Sequence, residues 1–366
     1  MRTKPQYYSN LAIPPGEYLE EVIAELGISK DELARRMNRP AAKLSAIYKG
    51  EKAITPETAL QLEKVLGVPA HIWIGLESEY RLTLARQSES KQDSDKQAEL
   101  VTKFCYPDLV RHGFVEQRTR REDKVEELQK FFGVTSLQTI PSLNRYQPFF
   151  RTGKRKSAKR SPEALSAWLR MGELRARELE CNEFQKEKLF SALPHLCLLT
   201  KEEPENFLPG LKTSLATAGI AFVVVPHLPK TYANGATYWI GKNKAILMVT
   251  LRGSWADIFW FSLFHEIGHI VLHSQHIVFV EEEGEENDSM DQHEQEADQF
   301  AADMLIPPHE YELFVQNGEF YPGDIKHFAD KIGIDVGIVV GRLQHDHYLE
   351  NNWHNDLRTR YKWSDY

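Results

Sequence analysis

The chain has 366 residues, of which 27% are charged and 42% hydrophobic, and a formal net charge of −8. That length suffices for two or more domains with proper cores, and the composition excludes disordered and collagen-like chains. The negative total argues against bulk nucleic-acid affinity, though it averages over unlike regions, and no apolar run approaches a membrane span.

Cys105, Cys181 and Cys197 are unpatterned and odd in number, so neither a disulfide framework nor a cysteine metal site is expected. The N-terminus has no apolar signal core. The expected setting is a reducing cytoplasm, away from membranes.

Residues 10–86 read as four or five short helices. Their apolar faces are Leu19, Val22 and Ile23; then Leu33 and Met37; then Leu44 and Ile47; then Ala59, Leu62 and Leu66. Ser29 is placed to cap the second helix, and Thr55-Pro56-Glu57 to open the fourth. The turn Asn38-Arg39-Pro40 between the second and third helices predicts a helix-turn-helix whose third helix enters the DNA major groove. From Leu33 to Gly50 there are five basic residues and no acid, the footprint of a phosphate-binding face. Arg39, Ala41, Lys43, Ser45 and Lys49 are the candidate DNA contacts. A small helical domain that binds protein is the plainer alternative. The stretch "ITPETALQLEKVLGVPAHIW" resembles the XRE-type helix-turn-helix of HigA-like antitoxins, which implies operator DNA as ligand and a homodimer on paired half-sites.

Residues 87–160 read as a helical connector, through "YPDLVRHGFV" and "KVEELQKFFGVTSL", followed by the basic linker "RTGKRKSAKR". Ser161-Pro162-Glu163 starts a helix expected to run to about Phe190. A helix near Leu208 to Ala218 follows. Three strands are expected at "IAFVVV", "ATYWI" and "AILMVTL", with turns at Asn234-Gly235 and Gly241-Lys242-Asn243-Lys244. "ATYWI" is the expected free edge, able to hold an extended substrate peptide by main-chain hydrogen bonds.

The stretch "FSLFHEIGHIVLH" (261–273) carries the chemistry. His265 and His269 are one helical turn apart on one face, the H-E-x-x-H spacing by which two imidazoles grip zinc while Glu266 handles a proton. Satisfied core histidines are the bland alternative; the nearly all-apolar flanks weigh against it, since uncompensated polar groups there are costly. His273, a further turn along, lies about 12 Å from His265 by helical rise and reads as supporting or structural. In "HEQEADQFAADMLIPP" (293–308), Glu294 and Asp298 share one helix face. Glu294 fits as third ligand and Asp298 as the group orienting a histidine, with Glu296 as the fallback ligand. Tyr238, Tyr311, His345 and His347 are candidate oxyanion donors. The acidic stretch "EEEGEENDSMDQHE" between the two helices reads as a solvated loop.

H-E-I-G-H-x-x-L-H followed by E-x-x-A-D-x-F-A-A-x-x-L-x-P resembles the ImmA/IrrE metallopeptidases, and the similarity covers roughly the C-terminal half, to about Leu343. The resemblance implies Zn2+ as cofactor and, as protein substrate, a repressor or antitoxin in a stress or toxin–antitoxin pathway. The expected architecture is mainly α with an α+β part: a helix-turn-helix bundle (10–86), the connector (87–160), a zincin-like domain with a small sheet (161–345) and a C-terminal tail (346–366). Two other readings keep every motif. One is a HigA-like repressor whose metal domain senses a metal or a partner and cuts nothing. The other is an antitoxin that holds a toxin by its connector helices.

Overall fold

The computed structural model describes residues 11–88, 91–146, 161–250, 255–273, 279–282 and 292–361, with the backbone alone at 88, 91–95 and 279–282. The chain divides into two compact units, Met1–Asp95 and Lys96–Tyr366. The basic linker 151–160 lies outside the described residues, as do positions 283–291 of the acidic stretch. Among the described residues, no helix is long and apolar enough to cross a membrane.

Among its described residues up to 88, the first unit has five helices: α1 (Pro15–Glu25), α2 (Lys30–Arg36), α3 (Ala41–Tyr48), α4 (Pro56–Leu66) and α5 (Ala70–Ser88). Side-chain caps open α2 and α4. The Ser29 hydroxyl accepts from Glu32 N at 3.2 Å, and the Thr55 hydroxyl from Thr58 N at 3.3 Å. Asn38 takes a left-handed backbone, φ 50°, to turn the chain between α2 and α3. Leu19, Leu33, Leu44, Ile47, Leu62 and Trp73 meet in a core of the unit's own. The buried Glu77 carboxylate ties α5 to the segment after α3, accepting from Ile54 N and from Arg81.

The second unit begins in α6 (Lys91–Leu100) and continues through α7 (Tyr106–Arg111), α8 (Arg121–Phe132), α9 (Pro162–Glu178), α10 (Lys186–Leu198) and α11 (Pro204–Thr217). Strands β1 (Ile220–Val224), β2 (Ala233–Ile240) and β3 (Lys244–Val249) follow, then α12 (Ala256–Leu272), β4 (Phe279–Glu282) and α13 (Gln292–Leu305). Helices α14 (Pro308–Gln316), α15 (Pro322–Ile332) and α16 (Val336–His345) complete it. The sheet order is β1-β3-β2-β4, with β1 parallel to β3 and the other pairs antiparallel.

Alternation along the strands sends side chains to two cores. Ile220, Phe222, Leu247 and Val249 join α12 on one face. Ala221, Val223, Ile246 and Met248 join α8 and α9 on the other, so the connector helices are part of this unit and not a separate spacer.

Several expectations need correction. Helix α9 stops at Glu178, because the chain beyond it leaves the helix to pair elsewhere: Asn182 N donates to Ala216 O and Phe184 N to Asn243 O. The segment 236–240 is not an edge; β2 lies between β3 and a fourth strand, β4, that falls partly in the acidic stretch. Asn234-Gly235 is no turn but lies within β2, at an irregular pairing with β4. Residues 346–361 are not a loose tail. Leu349 and Tyr361 are buried in the α12 core, Trp260 Nε1 donates to the Tyr361 hydroxyl at 2.7 Å, and Arg358 forks onto Asp257 at 2.7 and 3.2 Å.

Candidate metal centre and candidate DNA-reading helix

Helix α12 is apolar on nearly every side, so its few polar groups are held in a dry environment. His265, Glu266 and His269 are all buried there, Glu266 completely. Helix α13 packs along it at close range: a Cβ added at Gly268 would stand 3.1 Å from Ala297 Cα. The glycine and the alanine let the two helices approach until Glu294 reaches both histidines.

The donor atoms converge. His265 Nε2 and His269 Nε2 face each other at 2.9 Å, and Glu294 Oε2 lies 3.2 and 3.6 Å from them. Among the described residues these three form the group that could hold a metal ion. A tetrahedral ion with bonds of about 2.0–2.1 Å has donor–donor edges of about 3.3–3.4 Å, so two imidazoles and a carboxylate in this triangle fit zinc and leave one position open. Burial would raise the Glu294 carboxyl, but hydrogen bonds to His265 and His269 outweigh it and bring it to about 2. Burial likewise lowers His269, favouring the neutral imidazole that a metal requires.

Each histidine has its own support. Asp298 Oδ1 accepts from His265 Nδ1 at 2.7 Å, while His269 Nδ1 and His273 Nδ1 are 3.0 Å apart. Glu296 faces away from the triangle and meets His273 Nε2 at 3.1 Å.

Glu266 points toward the sheet. A Cβ at Gly235 would stand 2.6 Å from its Oε1, and the Thr237 hydroxyl donates to its carbonyl at 3.3 Å. Gly235 was hidden in the sequence because Asn-Gly reads locally as a turn. A glycine inside a strand pattern also signals close approach, and that was the usable clue.

Between α12, α13 and α16 is a cavity of about 390 Å³, lined by Phe261, Ser262, Asp298, Ala302, Arg342 and His345 among others; of the residues around the triangle only Asp298 reaches it, and His265, Glu266, His269 and Glu294 do not line it. Of the four oxyanion candidates, Tyr238 is excluded: its hydroxyl donates to Leu169 O at 3.0 Å, on the sheet face away from α12. The Tyr311 hydroxyl donates to Asp346 at 2.8 Å. Among these candidates only His345 lines the cavity, with its Nδ1 3.0 Å from Asp346 Oδ1.

In the first unit, α3 exposes Ala41, Ala42, Lys43 and Ser45, with Lys49 exposed just past its end, and buries Leu44, Ile47 and Tyr48. Small side chains around Lys43 allow a close approach to a groove. The basic face is thinner than the sequence suggests. Glu32 pairs with Arg35 and Arg36 at 2.8 and 2.9 Å, and Arg39 Nε donates to Gln61 at 2.6 Å.

Known proteins match both units. A peptidase family described as the IrrE N-terminal-like domain matches residues 257–332, and a helix-turn-helix family matches 19–73. An uncharacterized HTH-type transcriptional regulator of Escherichia coli, YddM, is 32% identical over 88 residues, 24% of this chain and 90% of that protein. Virulence-associated protein I of Dichelobacter nodosus is 33% identical over 79 residues, 21% of this chain and 73% of that protein. The solved structure of the Pseudomonas aeruginosa antitoxin HigA with the higBA promoter aligns at 32% identity and a TM-score of 0.21, covering 22% of this chain and 90% of that one.

Proposed function

Since the chain belongs to the helix-turn-helix transcriptional regulators through its first unit and carries an IrrE-type peptidase-family domain in its second, we propose that it is a cytoplasmic operator-binding regulator that also cuts a partner protein, a repressor or antitoxin. The observation that carries the peptidase half is the triangle of His265, His269 and Glu294 with Glu266 buried beside it.

When bound at that triangle, zinc supplies Lewis acidity to the scissile carbonyl and brings the acidity of a water near neutrality. Glu266 takes the proton of the attacking water and passes it to the leaving amine. Gly235 leaves room for the Glu266 side chain, the Thr237 hydroxyl ties the Glu266 backbone carbonyl to β2, and Asp298 fixes the tautomer and ring angle of His265. In the first unit, Lys43 and Lys49 contact phosphates while Ala41 and Ser45 approach the bases. A homodimer on paired half-sites is the form expected to bind.

A metal-sensing repressor without proteolysis is the second reading. Glu266 counts against it, because a purely structural site has no use for a proton acceptor there and prefers a fourth protein ligand. The deciding experiment is Glu266→Gln. Zinc content and operator binding should stay as in wild type, while cleavage of co-incubated neighbouring repressors falls on the order of 10²-fold or more. If the Gln variant behaves as wild type in cells where His265→Ala does not, the peptidase reading fails and the sensor replaces it.

A further inference from the structure

The two histidines of the triangle are supported unequally. His265 donates its Nδ1–H to a carboxylate directly, at 2.7 Å. His269 instead faces a second imidazole, His273, at 3.0 Å Nδ1 to Nδ1. His273 in turn meets Glu296 Oε2 at 3.1 Å through its Nε2. Gln292 Nε2 donates to the other oxygen of Glu296 at 2.7 Å, holding that carboxylate from behind. His293 packs against the His273 ring, centroids 4.6 Å apart and nearly edge-on.

Donor and acceptor counting fixes the order of protons along this row. His269 points its Nε2 into the triangle, so a metal there leaves its proton on Nδ1, where it is a donor. His273 Nδ1 must then be bare and accept, which puts the His273 proton on Nε2. That N–H donates to Glu296, and Glu296 accepts from Gln292 as well. Every link has one donor and one acceptor, and no other assignment does so with a metal on His269 Nε2.

We propose that His269 is held for metal binding by a two-link chain, in which His273 relays the pull of the Glu296 carboxylate to the ligand. The inference rests on the zinc reading of the triangle. It makes His273 and Glu296 positioning residues and removes both from competition as ligands, since the two ring nitrogens of His273 are committed. The insertion of an imidazole lets a carboxylate on the next helix set the tautomer and ring angle of His269.

Two measurements on the full-length zinc-loaded chain test this. Long-range 1H–15N spectra of histidine-labelled wild-type protein should show His269 protonated at Nδ1 and His273 protonated at Nε2. Chelator competition should then show zinc held about tenfold or more weakly in both His273→Ala and Glu296→Ala. The double variant should be no weaker than His273→Ala alone, because the two residues act as one chain. His273→Asn keeps an acceptor for His269 and should recover part of the loss; in that background Glu296→Ala should change nothing further. A His273 proton found on Nδ1, or zinc affinity unmoved by Glu296→Ala, overturns the relay while the triangle stands. Wild-type protein that takes up no zinc overturns the relay and the metal reading together.

Discussion

Glu173 on α9 shows what one buried carboxylate does for the second unit. It is 2% exposed and pairs with Arg145, with Arg170 at 2.7 Å and with Arg177 at 2.6 Å. Burial pushes its carboxyl up, but Arg145 and Arg170 push harder, and it ends below its ordinary value of 4.5. A depressed folded value means the contribution to stability is full above the unfolded value and is lost as pH falls through the folded one. Glu173→Gln leaves two largely buried guanidinium groups unpaired. The expected cost is roughly 3 kcal/mol, the lower end for a broken buried pair because Arg177 is mostly exposed. Denaturation should show that gap at pH 7 and a narrowing gap below about pH 4.5. A gap that does not change with pH would mean the glutamate acts through packing alone. Residues of this kind are poorly legible in sequence: Glu173 sits in "RMGELRARELE", which reads as a charged helix surface. His265, Glu266 and His269 are the opposite case, because fixed spacing on one helix places them without knowledge of the rest of the fold.

Between elements, the decisive distance is that from α12 to α13. Gly268 and Ala297 set it, and the triangle of donor atoms follows from it. Ala297→Leu should force the helices apart at a cost of about 1–3 kcal/mol. Since about 1.4 kcal/mol is a factor of ten in affinity, zinc should bind about tenfold or more weakly while the helical signal persists. Unchanged zinc affinity in a folded variant would show that the helix spacing does not govern the ligands. Glu294 was readable from its i, i+4 relation to Asp298. The close approach was not, since Gly268 in a helix carries no mark of its neighbour. The sheet order was equally hidden. Pairing of β2 with β4 joins residues 233–237 to 279–282, and local pattern carries no information over such a separation. The early end of α9 has the same origin, in hydrogen bonds from Asn182 and Phe184 to residues 216 and 243.

At the scale of the whole chain, the two units have separate cores, and the second is closed by the last described residues. Arg358 neutralises the buried Asp257 at the start of α12, and Trp255 pairs with Arg360 beside it. Removing residues 355–366 should therefore leave Asp257 unpaired in the core and expose Trp260. The second unit should lose its zinc and its cooperative thermal transition, while the transition of the first unit stays where it was. Retained zinc in the truncated protein would mean that α12 is held without this clasp. On the ribosome the clasp imposes a timetable. The DNA-reading unit is complete once residue 95 has been made, whereas α12 waits for Tyr361, roughly 15–50 s later at synthesis rates of about 5–20 residues per second. During that interval, and in any chain whose translation stops early, the helix-turn-helix is present without a closed second unit.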